Sequence, residues 1–200
     1  FGDSYDESLK AAIDDSKRND WILISDSTWE NYDVGLDVME GYLISISQAL
    51  DKIDQDPTHI FLQAGVGGLA ASFAAYCRKK LGYFPIIIIV EPSYAPCLQK
   101  SIEMEKPISV NGPASTMGRL DCKYPSRQAF YSLSKTANAF VSITENESLK
   151  GTKFLAKRGI NISQSSSAGF VALQKLNQRG EFLLDKKARV LCVFSEGIIK

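Results

Sequence analysis

The 200-residue sequence predicts an α/β fold: a three-layer, mostly parallel open sheet with helices on both faces. Three observations predict it. Strand-like and helix-like segments alternate, and no two strand-like segments lie close enough for a tight hairpin. Residues 86–90, Ile-Ile-Ile-Ile-Val, are too apolar for a half-exposed strand. They match a strand buried on both faces, as in a parallel sheet covered by helices. Finally, Gln63-Ala64-Gly65-Val66-Gly67-Gly68 links a β-type segment to a helix of small residues over 69–77.

The elements follow in order. Ser4-Tyr5-Asp6-Glu7 reads as a capping box with Ser4 as N-cap, opening a helix over 6–18. A helix beginning at the front of a sequence that starts Phe1-Gly2-Asp3 leads us to expect residues upstream. A short protein trimmed at its start is the alternative. A strand is expected over 21–25, then a polar loop over 26–33. Leu36, Met39, Leu43, Ile46, Leu50 and Ile53 recur at three- and four-residue steps, one buried helical face. The second strand covers 58–63. Pro85 introduces the third, which Glu91-Pro92 ends, and a helix follows over 95–103. Residues 107–127, rich in Gly, Pro, Ser and Lys, form a long excursion; 128–134 read as helix and 139–143 as strand. Thr144 caps a helix over 145–158 that Gly159 stops. Residues 165–169 open a helix ending near Gly180, and 188–194 form the last strand.

Twenty-three basic and 23 acidic residues cancel, so long-range attraction to nucleic acid or a membrane surface is not expected. No apolar run reaches membrane-spanning length. The four cysteines are far apart in sequence and the lone histidine, His59, sits inside a strand. No metal site is expected, and reduced thiols in a cytoplasmic protein are the default.

The glycine loop carries the chemistry. A strand turning through glycines into a helix aims bare N–H groups and the positive end of the helix dipole at one point, an anion site, usually for phosphate. Glycine is expected there because a Cβ would block the turn or the ligand. The plainer alternative is a tight β–α turn with close helix packing. Asp26, this loop, Glu91, Thr144 and Ser195 all fall at carboxyl ends of strands, where open α/β sheets bind ligands. Gly65-Val66-Gly67-Gly68-Leu69-Ala70 also fits Gly-x-Gly-x-x-Ala, with Glu91 where a dinucleotide fold places its ribose-binding acid. An NAD-type binding module therefore stays open.

Ser-Asp-Ser-Thr-Trp-Glu (25–30), Phe-Leu-Gln-Ala-Gly-Val-Gly-Gly (61–68), Ile-Val-Glu-Pro (89–92) and Ser-Glu-Gly (195–197) occur in that order over nearly the whole chain. They resemble the later part of the diaminopropionate ammonia-lyases, pyridoxal-phosphate enzymes of the tryptophan-synthase-β-like fold (fold type II). The resemblance implies elimination from 2,3-diaminopropionate to pyruvate and ammonia, a small amino-acid substrate and a homodimer. It also implies that residues 1–30 end a smaller α/β domain and 31–200 form the large phosphate-binding domain. Gly65, Val66, Gly67, Gly68 and Leu69 would hold the cofactor phosphate. Asp26 would act as a base at the substrate, and Ser195 would stand beside the pyridine nitrogen as a neutral partner. Desolvation by Trp21 and Trp29 would suit Asp26 to that role. Turn chemistry at Asp26 and a cap hydroxyl at Ser195 are the structural alternatives.

The pattern breaks in three places. No block here matches the one that carries the family's Schiff-base lysine; Lys10, Lys17, Lys52 and Lys79 fall on expected exposed helix faces, and Lys123 and Lys135 are no better placed. Ser163-Gln164-Ser165-Ser166-Ser167 stands where relatives carry Ser-Gly-Glu-Ser-Gly, and Cys122-Lys123-Tyr124-Pro125 where they carry Cys-Gly-Glu-Pro. The chain therefore reads as a fragment or degenerate form, inactive alone, or as a non-catalytic interaction protein.

Overall fold

A computed structural model describes residue 2 and residues 5–198; Ser4, and with it the expected capping box, lies outside the described residues. Helix α1 (Tyr5–Asn19) leads into α2 (Gly35–Leu50), followed by β1 (His59–Gln63), α3 (Gly68–Leu81), β2 (Ile86–Pro92) and α4 (Cys97–Glu103). A single 3₁₀ turn (Gly118–Leu120) interrupts the long excursion. Then come α5 (Arg127–Thr136), β3 (Ala139–Ile143), α6 (Glu145–Ala156), α7 (Gln164–Gln178) and β4 (Val190–Cys192).

The four strands form one sheet in the order β3-β2-β1-β4, with every neighbouring pair parallel. Side chains of successive strand residues point to opposite faces. Ile60, Leu62, Ile87 and Ile89 pack with Met39 and Ile46 of α2, Ala70 and Ala74 of α3, Leu98 of α4, and Phe130 and Leu133 of α5. Phe61, Ile88 and Val90 turn the other way, onto Ala168, Val171, Ala172 and Leu176 of α7. The sheet is thus covered on both faces, which is why β1 is buried at all five positions. Each buried Ile, Leu, Val, Phe or Met side chain among them contributes about 1.5–3 kcal/mol by leaving water.

One predicted strand is absent. Residues 21–25 run as irregular chain, with Trp21, Ile22 and Ile24 at 66%, 90% and 75% exposure. A strand needs a neighbour for its amides and carbonyls. Here a side chain serves instead: the Tyr32 hydroxyl accepts from Ser25 N–H and donates to the Leu23 carbonyl. The loop after it is more ordered than its polar composition suggested. Trp29 and Tyr32 exchange backbone hydrogen bonds and stack their rings at 3.9 Å.

Candidate functional site

A cavity of about 760 Å³ opens at the carboxyl edge of the sheet. Three of the features picked from sequence line it: Asp26, the whole loop from Gln63 to Ala70, and Ser195. Glu91 and Thr144 do not.

The loop is held from behind. A Cβ on Gly65 would stand 2.9 Å from both the Arg119 carbonyl oxygen and Cys122 Sγ. Gly67 has φ +99°, and its Cβ would meet Ala129 and Leu98 at 2.9 Å. These glycines are required by close packing and by a left-handed turn, so the plainer alternative holds for them. Gly68 meets only ordinary contacts at 3.5 Å. The packing fixes the direction of the amides. Gly67 is the N-cap of α3 and offers no side-chain cap. The first hydrogen bond of this stretch is Ala71 N–H to the Gly67 carbonyl. Among the described residues, the N–H groups of Gly65, Gly67, Gly68, Leu69 and Ala70 donate to no acceptor, while the Val66 N–H is directed at the Cys122 sulfur. A run of open amides at the positive end of a helix, facing a cavity, fits a phosphate dianion.

Asp26 sits above this turn, its backbone oxygen 3.5 Å from the position a Gly68 Cβ would take. Its side chain is exposed to the cavity, and Tyr5 donates its hydroxyl to Oδ1 at 2.6 Å. Burial first, and then the neighbouring Asp26 carboxylate, raise the Tyr5 hydroxyl far above its ordinary value, so it remains a donor. The desolvated setting between Trp21 and Trp29 is not what forms: Trp21 is exposed and Trp29 pairs with Tyr32. Tyr5 and Tyr42 take that place; Tyr42 is raised by burial and by the Asp26 charge.

On the far wall, Gln63 donates to Ser195 Oγ and to the Val193 carbonyl, each at 3.0 Å. Ser163 caps α7, accepting from Ser166 N–H and donating to Glu196 at 2.6 Å. Ser165 accepts from the Arg119 amide and Ser166 from the Glu196 amide. The serine run is a helix N-terminus, as its plainest reading has it, and Glu196 supplies a carboxylate beside it. Arg119 is the single cation among the described lining residues, 3.7 Å from Glu196. With Arg119 65% exposed, that pair adds little to stability. Arg119 carried no sequence signal of its own; Gln63 and Glu196 lay inside quoted motifs but with no role attached.

No lysine lines the cavity among the described residues. Lys10, Lys17, Lys52, Lys79 and Lys135 are exposed. Lys123 is fully engaged: its ammonium donates to the Tyr94 and Pro113 carbonyls and to Asp121 at 2.6 Å. The departure at Cys122-Lys123-Tyr124-Pro125 therefore pins the excursion against the turn after β2.

Glu91 is not a ribose-binding acid. It is fully buried, and its two oxygens accept from Leu98 and Gln99 N–H at 2.8 Å, capping α4. Burial pushes its carboxyl up to about 8, partly offset by those two amides. His59 is structural, tied between Thr58 Oγ1 and the Phe182 carbonyl. No helix of the described chain is long and apolar enough to cross a membrane.

Comparison with known proteins agrees with this geometry. The family model for pyridoxal-phosphate dependent enzymes matches residues 1–196. Diaminopropionate ammonia-lyase of Salmonella typhimurium is 28% identical over 97% of this chain and 54% of its own length. The Escherichia coli K12 enzyme is 27% identical over 97% and 53%. The crystal structure of the Escherichia coli enzyme in complex with D-serine superposes with a TM-score of 0.88 at 25% identity, covering 96% of this chain and 53% of that one. A processed threonine deaminase from Solanum lycopersicum shares the fold at TM-score 0.84 and 17% identity, covering 100% and 55%. The chain spans about half the length of the relatives it matches. An open helix terminus fit for phosphate, a fold-type II sheet and a family match over residues 1–196 lead to one conclusion: this chain belongs to the pyridoxal-phosphate dependent enzymes.

Proposed function

We propose that this chain is the phosphate-holding part of a carbon–nitrogen lyase acting on 2,3-diaminopropionate, and that by itself it binds the cofactor without turning over substrate. The uncapped N-terminus of α3, facing the cavity with its amides open, carries the reading. Gly65, Val66, Gly67, Gly68 and Leu69 hold the phosphate through main-chain N–H groups. Ser195 stands at the ring nitrogen as a neutral partner. Pyridoxal phosphate supplies the electron sink that elimination needs. Asp26, steadied by the Tyr5 hydroxyl, accepts a proton from the amino-acid substrate. Residues 1–30 end a smaller domain whose remainder carries the lysine that this cavity lacks. A homodimer is the assembly this family resemblance favours.

Isothermal titration with 4′-deoxypyridoxine 5′-phosphate, which has no aldehyde, tests cofactor binding; saturable binding at one site is expected. Borohydride reduction after adding pyridoxal phosphate, with peptide mapping, tests the second half. Scattered, substoichiometric labelling of surface lysines is expected. Stoichiometric labelling of one lysine would contradict the reading.

A further inference from the structure

We infer that Gln63 is a positioning residue: its carboxamide turns the Ser195 hydroxyl outward, as a hydrogen-bond donor to the ring nitrogen of the bound cofactor. This rests on the phosphate reading above.

A carboxamide nitrogen carries two protons and accepts nothing. Gln63 Nε2 spends them on the Val193 carbonyl and on Ser195 Oγ, both at 3.0 Å. The carbonyl can only accept, so the amide cannot flip without setting oxygen against oxygen. Ser195 Oγ therefore accepts from Gln63, and its own proton is left to point elsewhere. Among the described residues it finds no acceptor. Both side chains line the cavity.

A second observation supports the arrangement. Gln63 is only 4% exposed, and its Oε1 is buried without a hydrogen-bond partner. An unpaired buried acceptor costs stability, and an apolar side chain of similar size would avoid that cost. What the carboxamide alone provides is the pair of donors bridging the end of β1 to the chain after β4. The chemical consequence is a choice of ligand state. A neutral pyridine nitrogen is an acceptor and matches a hydroxyl whose proton is free. A pyridinium is a donor and would need the lone pair that Gln63 already occupies.

Two ligands test this by titration calorimetry: 4′-deoxypyridoxine 5′-phosphate and its carbocyclic analogue with CH in place of the ring nitrogen. The wild-type chain is expected to prefer the pyridine ligand by about tenfold. Bound, that ligand should show the ultraviolet spectrum of an unprotonated ring at neutral pH. Gln63→Met frees the Val193 carbonyl to take the Ser195 proton, so the preference should fall to about twofold or less while phosphate-dependent binding persists. Gln63→Glu accepts from Ser195 and should shift the bound ring toward the pyridinium spectrum. Equal wild-type affinity for both ligands overturns the inference, as does a pyridinium spectrum in wild type, which needs no variant to fold. A full preference retained in Gln63→Met overturns it too. If neither ligand binds the wild type, the phosphate reading itself has failed, and the role of Gln63 falls with it.

Discussion

Two strand-to-helix turns stand side by side at the carboxyl edge of this sheet, and they treat the same physical problem in opposite ways. Where β2 passes into α4, the first helical amides meet a carboxyl group of the protein itself: Glu91 accepts from Leu98 and Gln99. Where β1 passes into α3, the cap is a glycine with no side chain, and the amides face a cavity. Every helix start needs acceptors for its orphan N–H groups. The first turn is self-sufficient and sealed. The second leaves its amides open to the cavity. A polar residue at a strand end is therefore not by itself a sign of function; what matters is whether it fills the helix start or leaves it open.

The largest effect expected from breaking this contrast is at Gly67. Gly67→Ala forces a left-handed residue and a clash with Ala129 and Leu98, costing about 2–4 kcal/mol in urea denaturation and abolishing ligand binding. Gly68→Ala, with only ordinary contacts, should cost less than about 0.5 kcal/mol and leave binding intact. On the sealed side, Glu91→Ala strands two amides and should cost about 2–3 kcal/mol, with ligand affinity unchanged.

The same residue sharpens the contrast through pH. Folded Glu91 keeps its proton to about 8, whereas the unfolded carboxyl titrates near its ordinary 4.5. Between those values the folded state binds more protons, so stability falls as pH rises. Glu91→Gln should flatten the curve in that window relative to wild type; urea midpoints measured across it decide the matter. A smaller effect than at Glu91 is expected at α6, whose start is closed by a full capping box of Thr144 and Glu147. Thr144→Ala should cost about 1 kcal/mol by thermal denaturation and leave ligand affinity untouched.

The fold was legible where pattern and environment agree. The four aliphatic isoleucines before Val90 could only be a doubly covered strand, and the Thr144 cap follows from local chemistry alone. Residues 21–25 misled because apolar content predicts a strand only if a partner strand is present, and propensity carries no knowledge of partners. In the site, the glycine loop and Ser195 could be read because they follow β1 and β4, and Asp26 lines the cavity although the strand expected before it is absent. Tyr5 and Arg119 could not, since each arrives from a segment whose path is set by tertiary packing, and Glu196 lay in a motif whose spacing does not show its contact with Ser163. Glu91 shows the limit most clearly: its position was right for a ligand-binding acid, and only burial reveals it as a cap.

The most direct measurement is a map of backbone amide shifts by ¹⁵N–¹H correlation as 4′-deoxypyridoxine 5′-phosphate is added. The account predicts the largest changes at Gly65 through Ala70, with the Glu91-bonded amides of Leu98 and Gln99 nearly still. Saturable binding that leaves residues 65–70 unmoved would contradict it.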